Sequence, residues 1–156
     1  MSDEGARRPF AAIDARLRRA AAGAALVALA VIAVAMVHER TVGREAAAAA
    51  AADAARGDWA GSVAHARAAA EAHVPGSPWP DEGFRRLDAI GHDAAVRGDG
   101  ATALLAYGAM QGAAATGLAR PLLGSGADDA WRARAEDGLA RLSQASRASR
   151  PAGVAP

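Results

Sequence analysis

Four histidines, His38, His65, His73 and His92, are the side chains of this chain best suited to holding a metal or moving a proton. Their spacing suits neither task. No two stand four residues apart on one helix face, and the 156 residues include no cysteine to complete a zinc site. His38 falls where an apolar run meets polar sequence, a place that suits an amphipathic ring. The densest acidic set, Asp128, Asp129, Glu136 and Asp137, alternates with Arg132, Arg134 and Arg141. That alternation describes a solvated helix face with ion pairs one turn apart, not a general acid and base sharing an apolar pocket. Arg-Gly-Asp occurs twice, at 56–58 and 97–99, and could be taken for an adhesion tripeptide. A local role explains both copies: Arg ends a helix, Gly reverses the chain and Asp caps the next helix. No glycine-rich phosphate loop, nucleophile elbow or hydride-cofactor fingerprint is present. The expectation is a non-enzymatic protein with no cofactor and no metal.

Nucleic acid is not expected as a partner either. The sequence isoelectric point is about 8.5, yet residues 44–156 carry 12 Arg against 13 Asp and Glu, without a basic stripe. The excess positive charge lies before residue 20. The 18 arginines with no lysine at all are consistent with a GC-rich coding bias.

The element that dominates placement is Ala20–Val37, 18 consecutive uncharged residues. As a helix it spans about 27 Å, close to the roughly 30 Å of a bilayer's hydrocarbon core. Large side chains such as Leu26, Leu29, Ile32 and Met36 lie all round it, the pattern of a helix immersed in apolar surroundings. A membrane anchor in contact with lipid is therefore expected. A cleaved signal peptide is the alternative, because Ala33-Val34-Ala35 fits the small-x-small pattern. Arg16, Arg18 and Arg19, with Arg7 and Arg8, precede the run, and arginine bias of this kind keeps the N-terminus cytoplasmic and exports the remainder. Both readings put the body outside the cytoplasm, on the far side of a bacterial inner membrane. The expected organisation is a basic segment 1–19, a transmembrane helix 20–37, a helical domain 44–145 and a disordered tail 146–156.

The body reads as all-α hairpins. Glu45–Ala55 is nearly all alanine, the best helix former. Asp58 opens a second helix reaching Ala72, and the prolines of His73–Pro80 break it. A third helix begins near Asp81 and Glu82 and runs to Arg97; a fourth ends near Thr116. After a Gly/Pro-rich loop, Ser125-Gly-Ala-Asp128 opens a closing helix to about Ser143. The two Arg-Gly-Asp turns stand 41 residues apart, an internal repeat.

The second unit, Leu87-x-x-Ile90-Gly91-x-x-Ala94, Gly98, then Ala103-x-x-x-Tyr107-x-x-Met110, resembles a tetratricopeptide repeat. The first resembles it through Gly57, Trp59, Ser62, Ala66 and Ala69 only, and the 41-residue period exceeds the family's 34. The resemblance implies paired antiparallel helices that bind extended or helical peptides. An anchor followed by such hairpins also resembles small ancillary subunits that sit beside bacterial protein-export channels, and the stretch from Val74-Pro75-Gly76-Ser77-Pro78 through Leu142 resembles small membrane proteins of high-GC bacteria. The implied role is a scaffold or adaptor for envelope proteins. A structural subunit that contacts partners through its membrane helix and a cleaved periplasmic binding module remain alternatives.

Trp79, held between two prolines, has the best claim to a partner surface, though it could instead cover the hairpin junction. Tyr107 and Trp59 are further candidate contacts, while Trp131 is expected to dock the closing helix. Residues 42–145 hold only 19 large apolar side chains, so the body should gain stability from an envelope partner or a second copy. Asp53, in the alanine-rich helix, is expected to matter little.

Overall fold

The computed structural model describes residues 8–72, 76–118 and 126–149. These form five helices: α1 (Arg8–Ala55), α2 (Trp59–Glu71), α3 (Trp79–Val96), α4 (Gly100–Leu118) and α5 (Gly126–Ala148). No strand occurs among the described residues. The chain divides into two compact units, Met1–His38 and Glu39–Pro156.

The first unit holds the apolar part of α1, a stretch from Ala20 long and apolar enough to cross a membrane, with none of its most apolar window buried. Leu26, Leu29, Ile32 and Met36 are all exposed. Exposed apolar side chains of this kind on a long helix suit contact with lipid. The side chains of Arg16, Arg18 and Arg19 lie outside the described ones. The sequence suggested separate helices at 20–37 and 45–55, whereas helical bonding runs through both as one element. Residues 38–44 contain neither proline nor two adjacent glycines, and so nothing there stops a helix.

In the second unit the chain reverses at Gly57 and Gly98, each at φ +77°. The two turns share the hydrogen bonds that close them. Asp58 N–H donates to Asp53 O and Asp99 N–H to Ala94 O, both at 2.9 Å; Gly57 bonds Ala54 O at 3.0 Å and Gly98 bonds Ala95 O at 3.1 Å. This is the glycine helix stop in which two amides past the end return to carbonyls inside the last turn. The same aspartate then starts the next helix: Asp58 Oδ1 accepts from Gly61 N–H at 2.9 Å, and Asp99 Oδ1 from Thr102 N–H at 3.1 Å. One three-residue unit thus serves as stop and start. The 41-residue repeat read from the sequence is a repeat of bonded geometry.

Helix α3 starts at Trp79, two residues earlier than the sequence suggested, because Pro80 fits the first turn, where its missing N–H is not needed. Helix α5 continues to Ala148, beyond the expected stop near Ser143, with Arg147 in its last turn. The loop 119–125, His73 and the tail from 150 lie outside the described residues.

Helix α2 packs on α3 and α4, α3 on α4 and α5, and α4 on α5. The end of α1 lies against α2, where Ser62 Oγ donates to Ala50 O at 2.9 Å. It also meets α3, where Trp79 packs with Ala46, Ala47 and Ala69. Helices α2 to α5 thus pack as successive neighbours, with α4 meeting α2, α3 and α5. The core is small-sided: among described residues, 14 of the 20 buried apolar side chains are alanine. Phe84, Leu87, Ile90, Tyr107 and Met110 fill the centre. Phe84 stacks on Trp131 with ring centroids 5.5 Å apart, which docks α5 as the sequence suggested for that tryptophan.

Candidate functional site

Two hollows on the body share Arg85 of α3. The first, about 490 Å³, is lined by Arg44, Ala47 and Ala48 of α1 and by Pro78, Trp79, Glu82 and Arg85. The alanines come from a helix with no side chain beyond a methyl group over this stretch, so the floor is flat and apolar. Trp79 rises beside it because Gly43, opposite, has no side chain: a Cβ there would lie 3.1 Å from Trp79 Cβ. Trp79 is half-buried. The polar frame is arginine and glutamate, with Arg85 bonded to Asp81 and Arg86 to Glu82 at 3.4 Å. The Asp81 carboxylate holds the Arg85 guanidinium above its ordinary pKa, chiefly by that hydrogen bond.

The second hollow, about 470 Å³, runs between α3 and α5 past Asp88, His92, Asp93, Arg134, Asp137 and Arg141. Arg134 Nε lies 3.0 Å from Asp88 Oδ2, which ties α5 to α3. Arg141 bonds Asp137 on its own helix. It also bonds the Tyr107 hydroxyl, which, before the carboxylate, raises the guanidinium's pKa. Opposite charges alternate along this groove, so it presents no net field for an ionic ligand.

The candidate contact residues separate. Trp79 lines the first hollow. Tyr107 does not offer a contact face: it is 2% exposed, its ring wedged between helices. A Cβ at Gly91 would come within 2.9 Å of the ring and one at Gly138 within 2.6 Å. It also borders the second hollow. The partner reading of Tyr107 is corrected to a packing role; a lone tyrosine in the helix pattern gave no sign that two glycines, 47 residues apart, would close on it. Trp59 is half-buried and serves inside the molecule, under the Arg97 guanidinium 5.2 Å from its ring centroid.

Asp53 is a second correction. Its side chain is 6% exposed and bonds His65 Nδ1 through Oδ2 at 2.6 Å and Arg56 through Oδ1. Gly61 leaves room for it, since a Cβ there would lie 2.8 Å from Oδ2. The uniform alanine run does not mark Asp53 for burial, but a carboxylate that is buried demands partners. The sequence offered them at Arg56, three residues on, and at His65 across the turn. Among the described residues no group of three or more His, Asp or Glu side chains could hold a metal ion.

No protein-family model matches this chain, and comparison with curated proteins and with solved structures yields no match.

Proposed function

We propose that this protein is a single-pass membrane-anchored scaffold or adaptor of the bacterial cell envelope. In this reading its N-terminus is cytoplasmic and its tetratricopeptide-like body is exported. The observation that carries the reading is the apolar stretch after Ala20, none of whose most apolar window is buried among the described residues. Arginine bias on its N-terminal side supports the orientation. The paired turns at Gly57 and Gly98 support the repeat reading, and the Trp79 hollow supplies a contact point in which an apolar side chain of a partner peptide is received.

The test is a topology reporter fused to the C-terminus of the full chain, together with alkaline extraction of membranes. The expected result is a reporter active only outside the cytoplasm and a chain that stays with the membrane. A reporter active only in the cytoplasm, or a chain released without detergent, overturns the proposal. An intact mass lacking the first 35 residues (cleavage after Ala35) assigns the run to a signal peptide instead. Exchange of the apolar stretch for an unrelated membrane helix separates the remaining reading: a scaffold keeps its cross-linked partners, whereas a subunit held through its membrane helix loses them. Trp79→Ala should reduce cross-linking of those partners while leaving the helical content unchanged.

A further inference from the structure

Along α3 the two hollows are one feature. Trp79, Glu82, Arg85, Ala89 and His92 line them in turn, spaced by three or four residues and so on one face of that helix. Arg85 belongs to both. A groove therefore follows α3, bordered by α1 beside Trp79 and by α5 further on.

The groove is lined by as many arginines as carboxylates, but these charges are not equivalent. Arg85 is bonded to Asp81 and Glu82 to Arg86, while Arg134 is tied to Asp88 and Arg141 to Asp137. Groups paired in this way have already met their opposite charge and offer little to a ligand. Two groups remain. Arg44 in the first hollow and Asp93 in the second are exposed and form no ion pair among the described residues. A free cation thus stands at one end of the groove and a free anion at the other. Beside the cation lie the apolar floor of Ala47 and Ala48 and the side chain of Trp79.

We propose that this groove takes an extended peptide segment whose charges complement that pair. A carboxylate next to an apolar side chain meets Arg44 and Trp79, and a basic side chain meets Asp93. The inference rests on the adaptor reading above and names the chemistry of its partner. From Trp79 to Asp93 the helix rises about 21 Å, which an extended chain covers in about six residues. A segment with opposite charges at that spacing forms charge-assisted hydrogen bonds at both ends. A segment with two like charges meets repulsion at one of them.

The test uses the full chain in non-ionic detergent micelles and three short peptides carrying a neutral dye, followed by fluorescence anisotropy with empty micelles as the blank. One peptide has Glu-Leu and a Lys about six residues further on; in the others both charged positions are Glu or both are Lys. The first should bind about tenfold more tightly than either of the others. Arg44→Glu should move the preference to the peptide with two Lys, and Asp93→Arg to the peptide with two Glu, a gain of binding that loss of fold does not produce. The inference is overturned if the three peptides bind alike, if none binds, or if either reversal leaves the order unchanged. It is also overturned if phosphatidylglycerol added to the micelles displaces the peptide, which assigns Arg44 to a lipid headgroup. Equal binding that Trp79→Ala abolishes removes the charge pairing alone and leaves the adaptor reading standing, since that reading falls on its topology and cross-linking tests.

Discussion

The hairpin at Gly57 and the hairpin at Gly98 have the same turn and opposite interiors. Asp53, Ser62 and His65 of the first correspond through the 41-residue repeat to Ala94, Ala103 and Ala106 of the second. In the other direction, Ala46, Ala66 and Ala69 correspond to Leu87, Tyr107 and Met110. Where the second hairpin is held by volume, the first is held by bonds: Ser62 to the Ala50 carbonyl, and Asp53 to His65 and Arg56. An interface of alanine methyl groups alone has little to fix its register, since neighbouring positions are alike. Directional bonds supply what shape does not. In the second hairpin, the ring of Tyr107 in the gap left by Gly91 and Gly138 does that work.

The largest expected effect bears on the volume side. Tyr107→Ala should lower the stability of the body by about 3–5 kcal/mol, read by denaturant unfolding, because α3, α4 and α5 all lose the ring at once. Ala66, at the matching position, has only a methyl to lose, and Ala66→Gly should cost about 1 kcal/mol, mainly in helix propensity. Equal losses at the two positions would break the comparison.

Next comes the bonded side. Asp53→Ala, which copies Ala94 of the second hairpin, should cost about 1–3 kcal/mol through lost hydrogen bonds. His65→Ala should add little once Asp53 is gone, which a double-mutant cycle would show as coupling. An unchanged unfolding midpoint for Asp53→Ala would reduce the first hairpin to a second alanine interface.

The turns should respond alike. Gly57→Ala and Gly98→Ala each force a side chain into φ +77°, at about 1–2 kcal/mol, and a marked inequality would show that the shared bonds are not equally strained. The smallest effect concerns acid. Hydrogen bonds from Thr102 hold the Asp99 carboxylate below the ordinary aspartate range. Its contribution is therefore present above that range and is lost as pH falls through the lowered value. Amide exchange at Thr102 and Ala103 should quicken in that acid window, and Asp99→Asn should flatten the dependence.

The sequence made the turns legible because their chemistry is local: glycine permits the reversal and aspartate caps, whatever packs nearby. The long apolar helical stretch was legible for the same reason, as an unbroken apolar run. The alanine-rich end of α1 was not, because eleven residues of near-uniform composition show no periodic face from which burial could be read. Hence Asp53 passed as unimportant. Trp79 was placed in a loop because three prolines surround it, although a proline just inside a helix start is favourable. Phe84 was missed altogether: its importance arises from stacking on Trp131, a contact fixed by the docking of α5 rather than by any neighbour in sequence.

The alanine-dominated interior also sets how the body responds to temperature. A methyl group hides little apolar area, and the heat capacity gained on unfolding scales with the apolar surface newly wetted, typically about 12–15 cal/mol/K per residue. A body built this way should fall below that range. Its free-energy curve is then less strongly bent with temperature, and calorimetry should record a small step in heat capacity between the folded and unfolded baselines.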